Sequence, residues 1–136
     1  MGTDGSATAA EAVRMAAALA ARFGAELVLV SAYRESDQRQ MDRGTASAEV
    51  QWAFNPAARL RELLARTETE LRREGITCRT LVDEGEPGDV LVRLAEECGA
   101  DVLVIGNKGM QRRVLGSVPN TVTHRARCSV LVVKTT

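Results

Sequence analysis

The chain has 136 residues, of which 45% are apolar and 26% are charged, a composition typical of a globular protein. We interpret residues 1–136 as one domain with an aliphatic core. The 18 Lys and Arg residues balance the 18 Asp and Glu residues, and aromatic residues make up only 3%. The composition therefore argues against a nucleic-acid-binding protein, which would need a basic surface or a row of stacking rings.

The cysteines and the N-terminus predict where the protein resides. Cys78, Cys98 and Cys128 are far apart and form no C-x-x-C pair, which argues against a disulfide framework and a zinc site. No segment approaches the roughly 18 consecutive apolar residues of a membrane span, and no secretory signal pattern is visible. We expect a soluble, cytoplasmic protein with no membrane partner.

The first third of the chain predicts a helix, a strand and a loop. Ser6 is a candidate N-cap of a helix that runs to about Arg22 and stops at Gly24. Residues 26–33 are almost continuously apolar, which predicts a parallel strand covered on both faces. Residues 34–56 are polar and lack a clear period, so we expect a long, poorly ordered loop.

The middle of the chain continues this alternation. Leucines at helical spacing predict a second amphipathic helix between Pro56 and Gly75. Residues 76–83 alternate between apolar and polar, which is typical of an edge strand with one wet face. Apolar residues at helical spacing predict a third helix over residues 90–98, and the apolar run 101–105 predicts another buried strand.

Ser117 is predicted to cap a short fourth helix that runs to about Ala126, and residues 129–134 form the last strand. Strands that alternate with helices pair in parallel through right-handed crossovers, which predicts a three-layer α/β/α sandwich. Residues 2–6 resemble the turn that follows a strand, yet only Met1 precedes them. A first strand is therefore apparently missing, and we expect the natural protein to extend upstream of Met1.

A glycine-rich segment follows the third predicted strand. Gly106-Asn-Lys-Gly109 is followed, after six residues, by Gly116 and Ser117 at a predicted helix start. Glycines let the backbone approach an anion, the helix N-terminus adds positive charge, and Lys108 is a cation. The segment is either a phosphate cradle or an ordinary strand-to-helix connection. Its spacing is not that of a Walker A or dinucleotide fingerprint, so P-loop hydrolysis and dinucleotide redox chemistry are not indicated.

Few side chains suggest catalysis. Asp4 would accept hydrogen bonds from ribose hydroxyls if its turn lies beside the glycine loop, or it only stabilises its own turn. His124, the only histidine, fits a surface or packing role better than that of a base. The sequence shows no nucleophile with a base, no paired carboxylates and no metal-ligand cluster, so we predict no catalytic and no metal-binding residues.

Several segments taken together resemble the universal stress protein family, of the ATP-binding type with a shortened glycine loop. They are Gly2–Ser6, Gly85–Asp89, Val104–Gly109, Leu115–Val118 and residues 129–133. The resemblance covers essentially the whole chain. It implies a mainly parallel, Rossmann-like sheet of five strands that binds ATP, or AMP or cyclic AMP, with Mg²⁺ on the phosphates.

The resemblance also implies a role for particular residues. Asp4 would hold the ribose, Ala32 would line the adenine pocket with Thr3 and Gly85 nearby, and the glycine loop would surround the phosphates. The cofactor-binding residues expected on this basis are Thr3, Asp4, Ala32, Gly85, Gly106, Lys108, Gly109, Gly116, Ser117 and Val118. The family commonly dimerises through its last strand, here 129–134. ATP-binding members usually have about nine residues where this chain has six between Gly109 and Gly116, which weakens the case for a triphosphate.

Three functions remain open on the sequence. The first is an adenine-nucleotide-binding stress or signalling module that acts as a dimer. The second is a slow ATP hydrolase or self-phosphorylating protein, with Ser117 or a threonine as acceptor. The third is a nucleotide-free protein-interaction module of the same fold.

Overall fold

The computed structural model describes residues 1–34, 55–107 and 115–135, in which helices and strands alternate as predicted. Most of the predicted loop 34–56 lies outside the described residues, as do residues 108–114. The elements are α1 (Ala7–Phe23), β1 (Leu27–Tyr33), α2 (Pro56–Arg73), β2 (Cys78–Glu84), α3 (Pro87–Glu97), β3 (Val102–Asn107), α4 (Ser117–Arg125) and β4 (Ser129–Lys134).

The ends of α1 are set by local sequence signals. The Oγ of Ser6 accepts a hydrogen bond from the backbone N–H of Ala9 at 3.1 Å. Gly24 ends the helix with a φ of 61°, a left-handed conformation that glycine adopts without a steric penalty. The alanine-rich face between these caps is buried, as the sequence predicts. Short side chains let this helix pack closely on the sheet.

The strands form two parallel pairs. β1 pairs with β2 in a register that sets Leu27 opposite Cys78, and β3 pairs with β4 with Val102 opposite Ser129. In each pair the chain crosses from one strand to the next through a helix, as the predicted α/β order requires.

Residues 1–3 lie between the two strand pairs and join them. The N–H of Gly2 donates to the carbonyl of Val104 at 3.0 Å, and the N–H of Thr3 donates to Val30 at 2.9 Å. The amino group of Met1 donates to the carbonyl of Val28 at 2.9 Å, and burial lowers its pKa to about 6. These residues form no full strand, yet their backbone forms hydrogen bonds with β1 on one side and with β3 on the other. Residues 1–3 thus supply part of the pairing that the apparently missing first strand would make.

Helices cover both faces of the sheet. One buried cluster joins α1 and α2 to side chains such as Leu29 and Val104. The other joins α3 and α4 to side chains such as Val30 and Ile105 on the opposite face. This is the predicted three-layer α/β/α arrangement. The three cysteines are free, and no helix within the described ranges has both the length and the apolar character of a membrane span.

Candidate functional site

A cavity of about 330 Å³ lies at the carboxyl edge of the sheet. Ala32 at the end of β1, Gly106 near the end of β3 and Thr135 just after β4 contribute to its wall. Leu60 of α2 and Leu91 of α3 add apolar surface. A mostly apolar wall with a few convergent polar groups is the usual composition of a small-molecule site.

The turn before α1 supplies one polar wall of the cavity. The Oδ1 of Asp4 accepts a hydrogen bond from the backbone N–H of Ser6 at 2.9 Å, which stabilises the turn as one of the two interpretations predicts. The hydroxyls of Ser6 and Thr8 lie 3.0 Å apart and both residues line the cavity. The neighbouring Thr3 is also fixed, because the Oγ of buried Ser31 donates to the backbone carbonyl of Thr3. Asp4 is thus held at the cavity while its residue remains exposed.

The end of β3 approaches its neighbours closely. A Cβ on Gly106 would make a tight contact of 3.2 Å with the Cγ2 of Thr135 and would lie 3.4 Å from the Cβ of Ala12, at the short end of van der Waals contact. A side chain at this position would therefore press on Thr135, which lines the cavity. The Oγ1 of Thr135 donates to the carbonyl of Asn107 at 3.0 Å and holds the end of the chain against this edge.

The start of α4 forms the facing wall and differs from the prediction. Gly116, rather than Ser117, is the N-cap, with an extended backbone (φ −62°, ψ 172°) and no side-chain cap hydrogen bond. The helix begins at Ser117, which is therefore not the cap and is one of the residues that line the cavity. Pro119, in the first turn, has no N–H to satisfy. The backbone N–H groups of Ser117 and Val118 have no partner within the helix.

Three helices begin at this one cavity. The lining includes the first turns of α1 and α4 and Pro87 at the start of α3. Helix N-termini carry partial positive charge and free N–H groups, so three of them favour an anion in the space between. Asp4 is the one ionisable side chain in the described lining, and it lies at the α1 side. The cavity can therefore hold a ligand with an anionic end and a hydroxyl-bearing middle.

A second groove of about 420 Å³ continues from the first. The two share Asp4, Ala32 and Leu60. Tyr33 and Arg59 line the far side of this groove, so the ligand cavity opens onto a surface that is more polar than its own wall.

The structure brings seven of the ten predicted cofactor-binding residues to one cavity. They are Thr3, Asp4, Ala32, Gly106, Gly116, Ser117 and Val118. Gly85 is not in the lining; it directly follows β2 with a φ of 139° and donates its N–H to the carbonyl of Tyr33 at 2.8 Å. Lys108 and Gly109 lie outside the described residues. His124 is exposed on α4, away from the lining.

The sequence analysis missed several lining residues. Thr8 could have been found, because a second hydroxyl two residues after a helix N-cap faces the same first turn. Leu60 and Thr135 carry no local signal, since the tertiary fold alone brings α2 and the end of β4 to this edge.

Comparisons with known proteins show which family the chain belongs to. Residues 1–134 match the model of the universal stress protein family. A universal stress protein of Mycobacterium tuberculosis is 37% identical over 144 aligned positions that cover all of this chain and 94% of the relative. The chain belongs to the universal stress protein family.

Solved structures of universal stress proteins share this fold. A crystal structure of a universal stress protein in complex with cAMP is 32% identical, with a TM-score of 0.75 and coverage of 100% of this chain and 94% of that one. A universal stress family protein from Arabidopsis thaliana with AMP bound is 19% identical, with a TM-score of 0.66 and coverage of 90% and 78%. The fold is therefore the Rossmann-like α/β fold of this family.

Proposed function

We propose that this protein binds an adenine nucleotide in the cavity at the carboxyl edge of the sheet and acts as a stress-response or signalling module. The observation that carries the proposal is the convergence of three helix N-termini on a cavity that also contains Asp4 and an apolar wall. The cAMP in the 32%-identical relative supports the same ligand class.

In the proposed complex each part of the nucleotide meets a matching wall. The adenine lies against Ala32 and Leu60, which offer apolar surface. Asp4 accepts hydrogen bonds from the ribose hydroxyls, since its carboxylate is fixed beside the first turn of α1. The phosphate lies near Gly106 and the start of α4, where unpaired N–H groups and the Ser117 hydroxyl can donate to it.

The candidate ligands are AMP, cyclic AMP and ATP. The described residues contain no group of three or more His, Cys, Asp or Glu able to hold a metal ion. If ATP is the ligand, Mg²⁺ would accompany it on the phosphate oxygens. With six residues between Gly109 and Gly116, we favour a ligand with one phosphate over a triphosphate.

Binding is favoured over catalysis as the primary activity. Phosphoryl transfer to water or to Ser117 needs a base or a metal carboxylate beside the reacting atoms. Asp4 is the sole ionisable group in the described lining, and we assign it to the ribose. Weak ATP hydrolysis or self-phosphorylation remains the alternative activity of this site.

We propose further that two copies associate through β4. Among the described strands, β4 pairs only with β3, so its outer edge offers backbone groups to a partner strand. The strand is half-buried at Val130, Leu131 and Val132, which provides apolar surface beside that edge.

Calorimetric titration of Ala32→Leu tests the ligand proposal. The added isobutyl group would fill the apolar wall, so we expect at least tenfold weaker binding of AMP and cyclic AMP. Ala18→Leu, the same change at an exposed position of α1, should bind like the unmodified chain. Equal affinity in the two variants would refute this site. No binding by the unmodified chain would favour the nucleotide-free interaction module.

A further inference from the structure

Asn107, the last residue of β3, has a buried side chain with no hydrogen-bond partner. The residue is 1% exposed, and neither its Nδ2 nor its Oδ1 is bonded. Within the described ranges, no other buried side chain has unpaired polar atoms. Folded proteins rarely leave a buried amide unpaired, because water is lost and nothing replaces it. Such an amide is therefore a candidate for a hydrogen bond to a bound ligand.

The position of Asn107 ties it to the proposed nucleotide site. Gly106, directly before it, lines the cavity, and Thr135, which also lines the cavity, donates to its backbone carbonyl at 3.0 Å. Because side chains alternate along a strand, Asn107 shares a face of the sheet with Ile105. Ile105 lines the cavity and packs in the cluster that contains Val122 of α4. The amide therefore lies on the α4 face of the sheet, next to the cavity but outside its lining.

The start of α4 has unpaired groups of its own. Its N-cap is Gly116, which has no side chain to accept from the first N–H groups of the helix. An amide carries both a donor and an acceptor, so one side chain can serve two partners. The Nδ2 of Asn107 can donate to a phosphate oxygen while its Oδ1 accepts from an N–H at the start of α4. A rotation of the side chain is needed, since the amide is covered in the structure.

We propose that Asn107 is a phosphate-specificity residue: its amide donates to the phosphate of the bound nucleotide and links that phosphate to α4. The proposal rests on the proposed function of the cavity. It adds that the affinity gained from the phosphate depends on a side chain that makes no polar contact without ligand. Adenosine, which has no phosphate, should not depend on it.

The test is the ratio of adenosine to AMP dissociation constants in variants at this position, measured by calorimetry. Asn107→Ala should weaken AMP binding about tenfold, which corresponds to about 1.4 kcal/mol, and leave adenosine binding unchanged. Asn107→Ser keeps a small hydrogen-bond donor and should therefore bind AMP more tightly than Asn107→Ala. It replaces Asn107→Ala in the test if the alanine variant does not fold. Asn120→Ala makes the same change at an exposed position of α4 and should preserve the ratio.

The outcomes separate this inference from the proposed function. If the unmodified chain binds AMP and the folded Asn107 variants keep its adenosine-to-AMP ratio, the amide is only structural and the inference is wrong. If the unmodified chain binds neither AMP nor cyclic AMP nor ATP, the proposed function fails and the inference falls with it; if it binds another of these nucleotides but not AMP, the inference alone is wrong. A lower ratio in Asn107→Ala with an unchanged ratio in Asn120→Ala supports both.

Discussion

The Ser117 hydroxyl offers a direct measure of how α4 binds the phosphate. Ser117 is the first residue of α4, it is not the N-cap, and the residue is exposed in the cavity lining. Ser117→Ala should therefore leave the fold intact. A hydrogen bond to a charged group contributes about 1.5–3 kcal/mol. We expect AMP to bind roughly 10- to 150-fold more weakly to this variant.

Calorimetric titration of AMP into Ser117→Ala, alongside thermal unfolding, measures this loss. Ser129→Ala is the matched control, because Ser129 is an exposed serine at the opposite end of the sheet. Adenosine should bind equally to both variants. If AMP binds Ser117→Ala and Ser129→Ala with the same affinity, the phosphate does not lie at the start of α4 and our reasoning is wrong.

The core, the amino group of Met1 and the edge of the sheet give three further predictions. Leu29→Ala should lower the free energy of unfolding, measured in urea, by about 2–5 kcal/mol because Leu29 is fully buried. Leu115 is exposed, so Leu115→Ala should change this free energy by less than about 0.5 kcal/mol. Equal effects of the two substitutions would contradict the proposed core. In a preparation with a free amino group at Met1, burial lowers the folded-state pKa from 8.0 to about 6, so the unfolded state binds more protons between these pH values. Stability should rise by about 2 kcal/mol from pH 6 to pH 8, and acetylation of the amino group should remove the rise. A pH-independent stability would refute this. In hydrogen exchange, the outer-edge amides of 129–134 should become protected as the protein is concentrated, and exchange independent of concentration would argue against association through β4.

The sequence predicted most helices and strands because their signals are local. The N-cap Ser6 and the left-handed Gly24 determine α1 without reference to the rest of the chain. The predicted last strand, 129–134, matches β4 because a run of β-branched residues lies between polar ends. The two-sided burial of the sheet followed from the alternation of strands and helices.

The errors lie where tertiary contacts override local preference. We predicted that the third strand ends at Ile105, but it continues through Gly106 and Asn107, which oppose Val133 and Lys134 of β4. Glycine and asparagine disfavour strands by themselves, so the pairing, not propensity, extends it. The same packing brings Thr135 to the cavity, and no pattern in the sequence marks that residue.

Native mass spectrometry of the gently purified chain tests the central claim most directly, because it reads ligand and assembly together. Spectra would be recorded for the protein without added ligand and after addition of AMP, cyclic AMP or ATP. We predict one adenine nucleotide per chain on a dimer, and loss of the nucleotide in Ala32→Leu. A chain that stays free of all three nucleotides, with the same spectrum as Ala32→Leu, would contradict the assignment of this cavity.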